Sequence, residues 1–344
     1  MGIDLRSDTV TLQPSGMLQA MLHAEVGDDY YGGDRSVLEL QDLAADILGK
    51  EQGLLVASGT MANLVAVLAH TNRGEAVLMD IHSHLFRAEC DNISVLGGVR
   101  AYPLPADVSG IDVEALESAV RRRKSTEPPL TLLVVENTHN ALGGVSTTAS
   151  QMSSYRELSD AYDFGIHLDG ARLFNASVAL GVAPATLVAS ADSVTFCLSK
   201  GLAAPFGSVL VGSTEFIESA RYYRQMVGGG LRQAGYLAAA GVWALRNMVE
   251  RLAEDHALAK QLAEGLLALG CELDLATVQT NIVLFEPPTP IRADMLVQAL
   301  SAAGISLNPP RNNRIRVVTH YGIDERDVDA FLGAMEREIG NVRG

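Results

Sequence analysis

Positive charge is scarce in this sequence. Its 344 residues hold 26 Lys and Arg against 41 Asp and Glu, a net charge of −15. A body this acidic has no general basic surface for nucleic acid or for an anionic membrane. Any anionic ligand therefore needs locally placed arginines or helix N-termini. Cysteine is also sparse: Cys90, Cys197 and Cys271, with no CxxC spacing. Such a set excludes a disulfide framework and a structural zinc site, and reads as a reduced, cytoplasmic protein. No apolar run is long enough to span a bilayer. The opening MGIDLRSDTV is charged from its fourth residue and lacks the apolar region of a signal peptide. Internal repeats and low-complexity segments are missing too. So are the GxGxxG and GxxxxGK[ST] patterns, which removes a dinucleotide or nucleoside-triphosphate reading.

What is present is an ordinary globular composition, 48% hydrophobic and 19% charged, in a chain long enough for two domains. Short apolar runs at Gly53–Ala57, Ala76–Met79, Val99–Leu104, Leu130–Val135, Gly165–Leu168, Ser193–Cys197 and Ser208–Val211 read as strands. Several are continuously apolar, as in LTLLVVE, which suits strands covered on both faces. Helices are expected between them at Met61–Thr71, Asp112–Arg122, Ser150–Tyr162 and Pro184–Ala189. The pattern is α/β, with a mostly parallel seven-stranded sheet. After Phe216 longer helices follow, at Phe216–Gln225, Gln233–Met248 and Arg251–Leu269. Strands at Glu272–Leu275, Ile282–Phe285 and Arg314–Val318 then alternate with helices at Arg292–Ala303 and Glu325–Ile339, giving a smaller α/β domain from about residue 250.

Three short motifs carry chemistry. In SGTMAN (Ser58–Asn63), Gly59 permits close approach and Thr60 sets a hydroxyl beside the free N–H groups of a helical first turn. Such a turn can hold a phosphate or simply cap the helix. In HLDGARLFNA (His167–Ala176), Asp169 ends an apolar strand, the edge where α/β proteins bind ligands. A carboxylate there needs a cationic partner or solvent. It reads as a loop or cap residue, or as the partner of a protonated pyridine nitrogen. Arg172, three residues on, suits a substrate carboxylate. In TFCLSKGL (Thr195–Leu202), Lys200 follows a strand and precedes Gly201. Desolvation there would make its amine nucleophilic, whereas a lone lysine is ordinarily a solvated surface residue. The order phosphate-type turn, strand-end Asp, strand-end Lys gives the three a joint meaning.

With these motifs in place, the chain resembles the low-specificity L-threonine aldolases over nearly its whole length. The resemblance also rests on DLRSDTVT (Asp4–Thr11), EVGDDYYGGD (Glu25–Asp34), ENTHN (Glu136–Asn140), CLSKGLAAPFGS (Cys197–Ser208), GGGLRQAG (Gly228–Gly235) and RVVTH (Arg316–His320). It implies the type I fold of pyridoxal-5′-phosphate (PLP) enzymes. The domains would be an N-terminal segment 1–15 reaching the active site, a large PLP-binding domain 16–249 and a small domain 250–344. It implies Lys200 as the imine lysine, Asp169 as the pyridine partner, and Gly59 with Thr60 as the phosphate cradle. Arg232 resembles a phosphate arginine donated across a subunit interface, so a homo-oligomer, a dimer of dimers, is implied. Ser7, Arg172 and Arg316 resemble the clamp on the substrate α-carboxylate. His84, five residues before Glu89, resembles the histidine stacked on the cofactor and a base for the substrate hydroxyl, while His82 reads as structural. The implied reaction is retro-aldol cleavage of L-threonine and related β-hydroxy amino acids to glycine and an aldehyde. A changed substrate (a phenylserine-type aldolase, a β-eliminating lyase or a racemase) and a non-catalytic PLP-binding homologue are the alternatives.

The chain departs from the family at four places. No histidine stands in KSTEPPLTLL (Lys124–Leu133), where many members carry one. ALGGV (Ala141–Val145) replaces the usual Gly-Lys-Val, Gln225 replaces a basic residue, and DDxYG reads DDYYG, with Tyr30. These changes bear on substrate preference and on selectivity at Cβ.

Overall fold

The computed structural model describes residues 2–124 and 128–343. Residues 125–127, within the Lys124–Leu133 stretch lacking the expected histidine, lie outside the described residues. Seven of the apolar runs form one sheet, in the order Gln52–Val56, Ser208–Gly212, Ser193–Cys197, Gly165–Asp169, Leu130–Glu136, Ala76–Asp80, Arg100–Leu104. The last five are parallel neighbours, and Ser208–Gly212 is antiparallel to both of its own. The reversal has a simple cause. Residues 198–207 are too few for the crossover that a parallel neighbour requires.

Helices cover both faces, which is why the strands are apolar throughout. Leu55, Leu78, Leu133, Ile166, Val194 and Val209 point into the main core. The helices Arg35–Leu48, Ala149–Tyr162 and Gly235–Asn247 share that core. The alternate residues Leu54, Val56 and Leu210 pack on the opposite face with Gly59–His70 and Thr214–Met226. This period of two fixes the register of each strand, since a slip of one residue would exchange the faces.

A second core gathers Leu258, Leu262 and Leu266 with Val283, Phe285, Val317 and Phe331. It lies among the helices Leu252–Ala268, Ala293–Ala302 and Glu325–Arg343 and the antiparallel pair Ile282–Phe285 and Ile315–Val318. The N-terminus joins this core: Ile3–Asp4 pairs in parallel with Ile305–Ser306, and Leu5 is buried there. Leu252 belongs to the first core and Leu258 to the second, so one helix spans both.

Two differences from the sequence expectation stand out. Glu272–Leu275 is not a strand. Glu272 makes a single bridge to Glu286, and the Asp274 side chain accepts the Ala276 N–H, which turns the chain into a short 3-10 helix at Leu275–Thr277. Conversely, no element was expected before Gly53, yet Ser15–Leu22 and Arg35–Leu48 are helices. Among the described residues no helix is long and apolar enough to cross a membrane.

Candidate active site

The parallel strands deliver acidic residues to one edge. Asp80, Glu136 and Asp169 each end a strand there, and Lys200 follows three residues after the end of Ser193–Cys197. This carboxyl edge is where the geometry of an α/β sheet leaves a crevice.

Asp169 is buried, but its partners are neutral rather than cationic. Oδ2 accepts from Asn63 Nδ2 at 2.8 Å, and Oδ1 from the Ala171 N–H at 3.1 Å. Two fixed amide dipoles hold the carboxylate in place. The same Asn63 nitrogen donates to Glu89 Oε1 at 2.9 Å, which in turn meets His84 Nδ1 at 2.8 Å. His84 is thus held by Glu89, the residue whose spacing singled it out in the sequence. Its backbone N–H is also held, donating to Glu136 Oε2 at 2.6 Å. The hydrogen bond to Glu89 raises the imidazole pKa above its ordinary 6.5, against the effect of burial. Burial, reinforced by the Asp169 charge, also raises Glu89, against the hydrogen bond from His84. His82 stays outside this network. Its N–H donates to Asp80 Oδ1, and among the described residues its ring meets Arg87 Nη1 at 3.4 Å.

The arginines form a second cluster. Arg172 is buried and clamps Asp8 with two bonds, Nε to Oδ2 and Nη2 to Oδ1, both 2.7 Å. Asn281 adds a third donor to Asp8 at 3.2 Å. Asn140 Oδ1 bridges the two arginines, 3.4 Å from Arg172 Nη1 and 2.5 Å from Arg316 Nη1. Burial and the neighbouring Arg172 charge lower the Arg316 pKa to about 10, so it remains a cation at neutral pH. Ser7 caps the short 3-10 helix Asp8–Val10, its Oγ accepting from Thr9 N and donating to Asp8 Oδ1. The N-terminal segment is thereby tied to the arginines.

Lys200 is half-buried beside both clusters. Its charge helps hold Asp8 ionised and disfavours a proton on His84. Gly59 and Thr60 open the helix Gly59–His70, capped by Ser58 Oγ on Met61 N at 3.1 Å. Gly59 packs closely there: a Cβ would come 3.0 Å from Cys197 Sγ. Arg232 is not brought to this cluster. Its guanidinium is exposed, 3.7 Å from Asp28 Oδ1 and 4.8 Å from the Tyr30 ring centroid.

Sequence reasoning singled out neither Asp8, Asn63, Glu136 nor Asn140, and used Glu89 only as a spacing mark. The first four lie inside segments already quoted, so their positions were visible and their partners were not. Among the departures from the family, Tyr30 lies under Arg232. The ALGGV loop lies beside the strand Ile282–Phe285 and the residues leading into it, with Thr280 Oγ1 donating to the Gly144 carbonyl at 2.8 Å.

The sequence pattern of the beta-eliminating lyase family matches residues 4–287. Low-specificity L-threonine aldolase 1 of Arabidopsis thaliana is 41% identical over 344 residues, covering 98% of this chain and 96% of that protein. The low specificity L-threonine aldolase of Escherichia coli K12 is 39% identical over 327 residues, covering 95% and 96%. A threonine aldolase structure from Leishmania major superposes with a TM-score of 0.84 at 19% identity, covering 98% of this chain and 99% of that one. A serine palmitoyltransferase of Sphingomonas wittichii superposes with 0.79 at 19% identity, covering 99% and 88%. The fold is therefore the type I fold shared with these structures, and a serine palmitoyltransferase of that fold is solved with PLP bound.

Proposed function

Because the chain belongs to the beta-eliminating lyase family, we propose that it cleaves L-threonine, L-allo-threonine and related β-hydroxy-α-amino acids. The Cα–Cβ bond breaks to give glycine and an aldehyde, with PLP as cofactor. One observation carries the reading: Asp169, His84, Lys200, Arg172 and Arg316 meet at the carboxyl edge of a single sheet.

The donor set fits the cofactor. Asp169 offers a buried anion to a pyridine N–H, and Lys200 offers an amine for attachment. The helix N-terminus at Gly59–Thr60 offers unbonded N–H groups to a phosphate. Bound there, PLP supplies the electron sink for the pair left when the Cα–Cβ bond breaks. The protein does the rest by position. Arg316 and the Nη1 edge of Arg172, with Ser7, hold the substrate carboxylate and so set the torsion about Cα. His84 would lie against the bound cofactor. Its Nδ1 is engaged with Glu89, so Nε2 is the atom that takes the β-hydroxyl proton, and the Glu89 charge stabilises the resulting imidazolium.

Arg232 completes the phosphate site from a second copy, which makes the active unit at least a dimer, assembled further as a dimer of dimers. Division into 1–15, 16–249 and 250–344 belongs to the same proposal. Incubation with L-threonine and L-allo-threonine is expected to yield acetaldehyde and glycine in equal amounts. Absence of both products from protein with PLP bound would sink the reading. Lys200→Ala is expected to lose turnover and the visible absorbance of lysine-bound PLP.

A further inference from the structure

Behind the site, a line of polar groups runs beneath the sheet and ends on its two carboxylates. His70 Nε2 lies 2.7 Å from Ser193 Oγ, Ser193 Oγ 2.8 Å from His167 Nδ1, and His167 Nε2 3.2 Å from Asn63 Oδ1. Asn63 Nδ2 then meets Asp169 Oδ2 at 2.8 Å and Glu89 Oε1 at 2.9 Å. Asn63, His167, Ser193, Asp169 and Glu89 are all buried. The proposed cleavage uses neither His70, Ser193 nor His167.

Chemistry leaves these groups one arrangement of protons. Ionised carboxylates only accept, so the Asn63 amide must turn its NH2 to them and its oxygen to His167. His167 Nε2 therefore carries the hydrogen. Burial lowers this ring's pKa to about 3, so it is neutral and Nδ1 accepts. Ser193 then donates to Nδ1 and must accept from His70 Nε2–H. His70 is neutral as well, lowered by burial to about 4. Every donor in the line points toward Asp169 and Glu89. Aligned neutral dipoles polarise one another and favour negative charge at their end, without adding a cation that would compete with the substrate.

We infer that Asn63, locked by the neutral His167–Ser193–His70 line, is a positioning residue that keeps Asp169 and Glu89 as two oriented anions, one for the cofactor ring nitrogen and one for His84. The inference rests on the reading of this cleft as a PLP site. Without the amide, two buried like charges face each other, and Asp169 already makes Glu89 harder to ionise. Glu89 would take up a proton and cease to support His84. The other charges acting on the His84 ring are Asp169 and Lys200, and Glu136 holds its backbone N–H.

The test is Asn63→Leu, which keeps the volume and removes the donors. Two quantities are read: affinity for PLP, by absorbance titration, and the His84 titration, by histidine NMR assigned with His84→Asn. PLP affinity is expected to fall about tenfold or more, the equivalent of one lost hydrogen bond to a charged group. The His84 midpoint is expected to move to lower pH, because its anionic partner is lost. A lower melting temperature with both quantities unchanged would overturn the inference. Should Asn63→Leu fail to fold, His167→Leu leaves both carboxylate contacts in place but unlocks the amide. It is expected to shift both quantities the same way, and His167→Gln, which keeps a donor, to restore them. No shift in His167→Leu would also overturn it. The His84 midpoint is read with and without PLP. A shift in protein whose wild type binds no PLP sinks the cofactor reading alone, and PLP binding with no shift sinks this inference alone.

Discussion

Asp8 is fully buried, and burial alone would raise its pKa. The Arg172 guanidinium instead holds the carboxyl well below its ordinary 3.8, aided by Lys200 and Asn281. A depressed carboxyl stabilises the fold at pH values above its unfolded pKa, and that stability drains away as pH falls below it toward the folded value. Asp8→Asn keeps the shape, removes the charge and leaves Arg172 buried without a counter-ion. It is expected to cost about 3–5 kcal/mol at pH 7. The gap to the wild type should narrow as pH drops below about 4, since the wild type then loses what the variant never had. Urea denaturation at pH 7 and pH 3 measures both; equal midpoints at pH 7 would show that the pair contributes nothing. The residue also marks where sequence reading stopped. Lys200, Asp169, Arg172, His84 and Arg316 declare their chemistry by type and motif. Asp8 and Asn140 act on arginines 164 and 176 positions away, which one-dimensional spacing cannot reveal.

At the scale of elements, the buried strands were legible because both faces are apolar, and their ends located Asp169 and Lys200. Arg35–Leu48 went unread although its signals are there: Asp34 at the N-cap and Gly49 past the C-terminus, at φ 62°. Asp34 does more than one helix requires. Oδ1 accepts from Val37 N at 3.2 Å, and Oδ2 accepts from Gly235 N at 2.8 Å, opening the helix Gly235–Asn247. Gly235 is forced by this contact, since a Cβ there would sit 2.5 Å from Asp34 Oδ1. One carboxylate thus caps two helices that share a core. Asp34→Ala is expected to destabilise by about 2–4 kcal/mol, more than an ordinary cap, because two N–H groups lose a charged acceptor. Chemical denaturation checks this; a loss within about 0.5 kcal/mol, the range of a neutral surface change, would refute the double role.

For the molecule as a whole, strand order was beyond the sequence. The crossings that place Ala76–Asp80 beside Leu130–Glu136, and Gln52–Val56 beside Ser208–Gly212, are choices of the packed state. Also beyond it was the joining of the N-terminal strand to the second core, which carries Asp8 to Arg172. One feature of the surface bears on assembly. Leu18, Leu22, Tyr31, Met226 and Tyr236 are exposed, and Arg232 lies exposed among the same segments, apart from the cluster at the sheet edge. If Arg232 serves a neighbour's site, Lys200→Ala and Arg232→Ala chains should each have little activity alone and regain it when mixed and allowed to exchange subunits. Each mixed pair then holds one site with Lys200 from one chain and Arg232 from the other, and a second site with neither. Activity should rise with the fraction of mixed pairs, as measured by aldehyde release. Were Arg232 to act within its own chain, every site in the mixture would stay defective and no activity would return.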